Sequence, residues 1–129
     1  MKKINQIILI DDDEQTNYLH KVVIRRADIA EKVLVFDNAG EALSFLLGGK
    51  KDKNGPPLVL VDINMPAMSG WDFVEQFEQS YKHTATVVIL TSSINPNDQA
   101  RAKSIPAVKA YRSKPLTEKV LKDLITEFY

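Results

Sequence analysis

Four short apolar runs constrain this chain more than any other feature: Ile7-Ile8-Leu9-Ile10, Val33-Leu34-Val35-Phe36, Leu58-Val59-Leu60-Val61 and Val87-Val88-Ile89-Leu90. They are rich in β-branched side chains and nearly free of polar ones. A strand with one wet face alternates apolar and polar residues, whereas a continuous run suits a strand covered on both faces, as in a parallel sheet. A weaker fifth run spans Ala107 to Arg112.

Helix signals fill the intervals. Leu19, Val22, Val23 and Arg26 fall at helical spacing after the first run. Asn38 and Glu41 are spaced as a capping box, with Ala42, Leu43, Leu46 and Leu47 as the apolar face and Gly48-Gly49 as the stop. The stretch from about Trp71 to Tyr81 predicts a third helix that buries Val74 and Phe77. Asn95-Pro96 supplies a cap followed by proline at the first helical position. Leu116, Val120, Leu124 and Phe128 fall four apart on a final helix. Five strands alternating with five helices predict an α/β fold, a parallel sheet with right-handed crossovers and helices on both faces. Ligands of such a sheet lie beyond the carboxyl ends of its strands.

Those ends carry chemistry. The first run leads into Asp11-Asp12-Asp13, the third ends at Asp62, the fourth at Thr91, and the fifth leads to Lys114-Pro115. A parallel sheet brings all of them to one rim. Taken alone, the acidic triplet also reads as a turn or a helix cap. Joined by Asp62, it gathers carboxylates that repel one another unless a cation or proton intervenes. Oxygen ligands without His or Cys suit Mg²⁺, with Mn²⁺ as an alternative.

Bulk properties exclude other chemistries. There is no cysteine among 129 residues, so disulfides, thiolate metal sites and thiol catalysis are ruled out. Lys plus Arg and Asp plus Glu balance at 17 each, which gives no general attraction to nucleic acid or an anionic membrane. No signal-peptide pattern and no apolar run near the roughly 20 residues of a membrane span are present. A cytoplasmic protein that binds neither nucleic acid nor membrane is expected. Neither a G-x-G-x-x-G nor a P-loop pattern for nucleotides occurs.

Four segments, in order, resemble a response-regulator receiver domain of two-component signalling, stand-alone and chemotaxis-regulator-like, over essentially the whole chain. They are Ile8-Leu9-Ile10-Asp11-Asp12-Asp13; Asp62-Ile63-Asn64-Met65-Pro66-Ala67-Met68-Ser69-Gly70 with the preceding apolar run; Val88-Ile89-Leu90-Thr91-Ser92; and Tyr111-Arg112-Ser113-Lys114-Pro115. The resemblance implies a doubly wound, flavodoxin-like sheet in the order 2-1-3-4-5, spanning 1–129 as one receiver domain with no output domain. It implies Asp62 as phospho-acceptor, with Mg²⁺ held by Asp11, Asp12, Asp62 and the backbone carbonyl of Asn64. Asp12 takes the directly ligating place and Asp11 the one that acts through water, while Asp13 falls outside the pair. Thr91 matches the hydroxyl that bonds the phosphoryl group, Lys114 the ammonium that pairs with it, and Tyr111 the aromatic switch. A cis Lys114-Pro115 bond is implied as well.

The implied function is a signalling switch, not an enzyme beyond self-phosphorylation from phosphodonors and autodephosphorylation. It would take phosphate from a histidine kinase or histidine phosphotransfer protein. The change would reach the face of the fourth helix, fifth strand and fifth helix, and so a downstream protein, as monomer or phosphorylation-dependent dimer. Two departures stand out: Ser92 where a small residue, commonly Ala, is usual, and Pro106 before the fifth strand, which is expected to shorten or reshape the fourth helix. A haloacid-dehalogenase-type phosphatase shares the Asp, Mg²⁺, Thr and Lys set but expects a D-x-D-x-T/V motif that Asp11-Asp12-Asp13-Glu14-Gln15 does not supply. A degenerate receiver that only binds proteins is disfavoured by the intact acidic, Thr and Lys positions.

The remaining polar and aromatic residues read blandly. Met65 and Met68 suit packing better than a soft-metal site. His20 and His83 suit a surface or helix-packing role, and Trp71 and Tyr81 suit the core or its edge. Gly48 to Pro57 with Lys50, Lys51 and Lys53 reads as a solvated loop, and Lys119 and Lys122 suit the solvent side of the last helix.

Overall fold

The computed structural model describes residues 3–49, 55–81 and 84–129. Among these the order is β1 (Ile4–Ile10), α1 (Glu14–Ala27), β2 (Ala30–Phe36), α2 (Ala39–Gly48), β3 (Leu58–Val61), α3 (Gly70–Ser80), β4 (Thr86–Thr91), α4 (Pro96–Ser104), β5 (Val108–Ser113) and α5 (Glu118–Phe128). All strand pairs are parallel, in the sheet order β2-β1-β3-β4-β5. His83, Lys50, Lys51 and Lys53 lie outside the described residues.

The continuous runs have a direct structural reason. Side chains alternate across a strand, so each apolar run feeds two cores. Ile8, Ile10, Val59, Val61, Val87 and Ile89 pack with α2, α3 and Ala102 of α4. Ile7, Leu9, Leu58, Leu60, Val88 and Leu90 pack with α1 and α5. Burying each such aliphatic side chain contributes roughly 1.5–3 kcal/mol. Among the described residues no helix is long and apolar enough to cross a membrane.

Several faces differ from the periodic reading. On α1, Leu19 is 61% exposed and Arg26 is also exposed, while Asn17, His20 and Ile24 turn inward. Two polar side chains hold core positions there, while Val22 and Val23 are half-buried and Val23 packs against the core. Leu47 of α2 is likewise exposed. On α5 the buried residues are Leu121, Leu124 and Ile125; Val120 and Phe128 are half-buried, and Leu116 precedes the helix. β2 is apolar in sequence but lies at the sheet edge, with a mixed burial pattern and Val35 exposed. The bond between Lys114 and Pro115 is cis.

Caps fix the helix ends near the rim. Asp13 accepts hydrogen bonds from the N–H groups of Gln15 and Thr16, which makes it the cap of α1. The Thr16 bond is the larger influence, and it holds the Asp13 carboxyl below the usual range. Asn38 accepts from the Glu41 N–H. Ser69 and Asp72 form a reciprocal capping box on α3. Asn95 caps α4, with Pro96 in its first turn.

Candidate functional site

Residues from four strand ends meet at one rim. β1 stops where the Asp11 N–H donates to the Phe36 carbonyl, and β3 stops where the Asp62 N–H donates to the Ile10 carbonyl. These bonds set the two aspartates side by side. Carboxylate oxygens of Asp11, Asp12 and Asp62 all lie within 4.8 Å of one another. Asp11 and Asp62 are buried, while Asp12 opens to solvent.

Lys114 crosses to them from the loop after β5. Its ammonium donates to Asp11 Oδ2 and, at 3.1 Å, to Asp62 Oδ2. Burial is the largest single influence on this amine and opposes its charge. The two carboxylate hydrogen bonds and charges together outweigh it, so the amine titrates above its ordinary value. Removing one partner from such a cluster leaves an uncompensated charge, which is costly.

Geometry near Asp62 demands glycine at one position. A Cβ on Gly70 would sit 2.2 Å from the Asp62 carbonyl oxygen and 2.7 Å from Ile63 Cα. The first residue of α3 can therefore approach the acidic strand end only without a side chain. The Gly70 N–H donates to the Ile63 carbonyl and closes the loop. Within that loop Ala67 adopts φ 64°, a left-handed conformation costing about 1 kcal/mol for a residue with a Cβ. Asn64 is exposed and its N–H reaches Asp62 Oδ1 at 3.4 Å. Met65 and Met68 pack against the α2–α3 core.

Thr91 is fully buried, and its hydroxyl oxygen accepts the Ser93 N–H at 3.1 Å. The Ser93 hydroxyl in turn donates to Asp98 in the first turn of α4. Tyr111 sits on β5 beside Ile89, packed against the α2–α3–α4 core, and its buried hydroxyl has no hydrogen-bond partner. Ser92 is exposed. The rim therefore brings Asp11, Asp12 and Asp62 together, with Lys114 paired to Asp11 and Asp62, and Thr91 and Tyr111 on the neighbouring strands.

Two residues of the floor are missed by motif reasoning. Asn17 Nδ2 donates to the Asp11 carbonyl at 2.7 Å, and its buried Oδ1 has no partner. His20 Nε2 accepts the Leu116 N–H at 3.1 Å. Burial, helped by the nearby Lys114 charge, pushes His20 below its ordinary value, while Asp11 acts the other way. Both residues, with Asp11 and Asp62, line a cavity of about 10 Å³ beneath the acidic group. The available signal was their three-residue spacing on α1, opposite an exposed Leu19.

The oxygen-only donor set, three carboxylates close together with one open to solvent, fits a hard divalent cation. Without a cation such a set would have to share protons or a lysine.

Comparison with known proteins bears on the family and the fold. Residues 7–126 match the family described as response regulator receiver domain. A two-component response regulator from Cytophaga hutchinsonii superposes with a TM-score of 0.84 at 32% identity, covering 98% of this chain and 97% of that one. Protein PilH of Pseudomonas aeruginosa is 29% identical over 115 residues, 88% of this chain and 89% of PilH. The hybrid signal transduction histidine kinase D of Dictyostelium discoideum is 26% identical over 101 residues, 74% of this chain but 6% of the kinase.

Proposed function

The chain belongs to the response regulator receiver domain family of two-component signalling, and from that premise we propose that it is a phosphorylation switch whose acceptor is Asp62. One observation carries the reading: the Lys114 ammonium bridges Asp11 and Asp62 inside a cluster of three carboxylates. That arrangement compensates charge at the place where a phosphoryl group would add more.

Asp11, Asp12, Asp62 and the Asn64 carbonyl would hold Mg²⁺, or Mn²⁺ in its place. When bound, the ion offsets negative charge on the acceptor and on the phosphoryl oxygens. An Asp62 oxygen attacks the phosphorus of a phosphohistidine on a histidine kinase or phosphotransfer protein. The O–P bond forms as the P–N bond breaks, and the imidazole leaves and takes up a proton. Lys114, already charged and already on Asp62, transfers its hydrogen bond to a phosphoryl oxygen.

Thr91 then turns its hydroxyl to the phosphoryl group and gives up the Ser93 N–H. Ser93 is bonded to Asp98, so the release reaches the first turn of α4. Tyr111 fills the space that Thr91 vacates. Through these steps a local charge becomes a change of the α4–β5–α5 face, which a downstream protein reads. The protein acts in the cytoplasm as a regulator, not a turnover enzyme, as a monomer or a phosphorylation-dependent dimer.

The test is intact-mass analysis after incubation with acetyl phosphate and Mg²⁺, with peptide mapping of any adduct. Wild type should gain one phosphoryl group on the Asp62 peptide, chelation of the metal should prevent it, and Asp62→Asn should gain none. No adduct on wild type, or an equal adduct on Asp62→Asn, contradicts the reading. Steady turnover of many phosphate esters would favour the phosphatase instead.

A further inference from the structure

We propose that His20 is a positioning residue for Lys114, holding the loop after β5 through the Leu116 N–H so that the ammonium stands against Asp11 and Asp62. The proposal rests on the phosphorylation reading of this site and names a residue that reading does not use.

Lys114 is tethered on both sides. Before the side chain branches, its own N–H donates to the Thr91 carbonyl at 2.9 Å. Two residues later the Leu116 N–H is bonded to His20 Nε2 at 3.1 Å. The first tether is an ordinary backbone bond continuing from β5. The second comes from a side chain 96 residues away in sequence, on a helix that also holds the acidic side of the site. Asn17, one helical turn before His20, donates to the Asp11 carbonyl. One face of α1 thus fixes both the carboxylate and the ammonium that pair above it.

The chemistry of the imidazole suits this task. To accept a backbone N–H, Nε2 must be unprotonated, which leaves the proton on Nδ1. His20 and Leu116 are 3% and 1% exposed, so the Leu116 donor has no access to bulk water. A buried N–H left without an acceptor costs about 1–3 kcal/mol, and the loop would shift to find another partner. A displacement of that kind moves an ammonium that must meet a phosphoryl oxygen. The carboxylates would not follow, because β1 and β3 hold them by strand bonds that do not involve His20.

His20→Leu and His20→Gln separate positioning from mere packing. A glutamine amide oxygen can accept the Leu116 N–H, whereas leucine cannot. With acetyl phosphate and saturating Mg²⁺, His20→Leu should phosphorylate about tenfold more slowly than wild type, in line with the sensitivity of rates to small misplacements. Its Mg²⁺ dissociation constant, measured by calorimetry, should be unchanged or tighter, which also reports an intact fold. His20→Gln should recover most of the rate. A wild-type rate in His20→Leu, a parallel loss of Mg²⁺ affinity, or failure of His20→Gln to recover overturns the assignment. If wild type accepts no phosphoryl group at all, the Asp62 reading fails and takes this one with it. If wild type is phosphorylated normally and the variants do not divide as stated, the positioning role alone fails.

Discussion

Helices α1 and α4 flank the same acidic rim and are anchored in opposite ways. α1 is 14 residues long, buries Asn17, His20 and Ile24, and is closed by Asp13 at one end and a left-handed Asp28 at the other. α4 is nine residues long, with Ala102 as its buried residue. Beyond Ala102, Arg101 stands 4.8 Å over the ring of the buried Trp71 and pairs with an exposed Glu75 at 3.0 Å. Such exposed pairs contribute about 0–1 kcal/mol. The pairing of β4 with β5 shifts register between Val87 and Val88, while β1 pairs with β3 without a break.

On the proposed reading, this difference divides the work of a switch between the two helices. Chemistry needs charges held within fractions of an ångström, and α1 supplies buried polar bonds to both sides of the site. Signalling needs an element whose position is decided by a few small terms. The N-terminus of α4 is held to Thr91 through Ser93 and Asp98 and has little apolar burial to resist a change. Elements with few buried contacts are the ones that open or shift at low cost.

The contrast breaks first on stability. Ile24→Ala on α1 should cost about 2–5 kcal/mol in denaturant unfolding, the range for truncating a buried isoleucine. Ala102→Gly, which weakens the best-anchored position of α4, should cost about 1 kcal/mol. Equal costs would mean that α4 is held as firmly as α1.

A smaller effect sharpens the same comparison through pH. His20 titrates below its ordinary value of 6.5 in the folded protein, chiefly because it is buried. Below about pH 6.5 the unfolded chain therefore binds the proton more readily than the folded one, and stability falls as pH drops toward the folded value. Above that window its contribution is complete and flat. In metal-free thermal melts, wild type should lose more stability than His20→Gln between pH 7.5 and 5. Identical slopes would place His20 in water rather than in the floor.

The sheet is legible in the sequence because both of its faces are covered, so strand runs are continuous and their polar ends stand out. The triplet Asp11-Asp12-Asp13 with Asp62, Thr91 and Lys114 is readable for that reason before any resemblance is invoked, and the resemblance then sets Asp13 apart. The helix faces are less legible where polar residues point inward. Asn17 and His20 occupy core positions on α1, so apolar periodicity selects Leu19 instead. β2 misleads in the other direction, since an edge strand keeps apolar residues such as Val35 without full cover. Gly70 belongs to a recognisable motif, but its reason, a backbone approach to Asp62, exists only in three dimensions.

The division between a fixed floor and a responsive face is tested most directly by amide chemical shifts of the protein with Mg²⁺, before and after adding beryllofluoride as a phosphoryl mimic. Large changes are expected at Asp62, Thr91 and Ser93, through α4 and at Tyr111, with Asn17, His20 and Ile24 of α1 nearly still. Changes confined to Asp62 and its immediate neighbours, or as large along α1 as along α4, would contradict it.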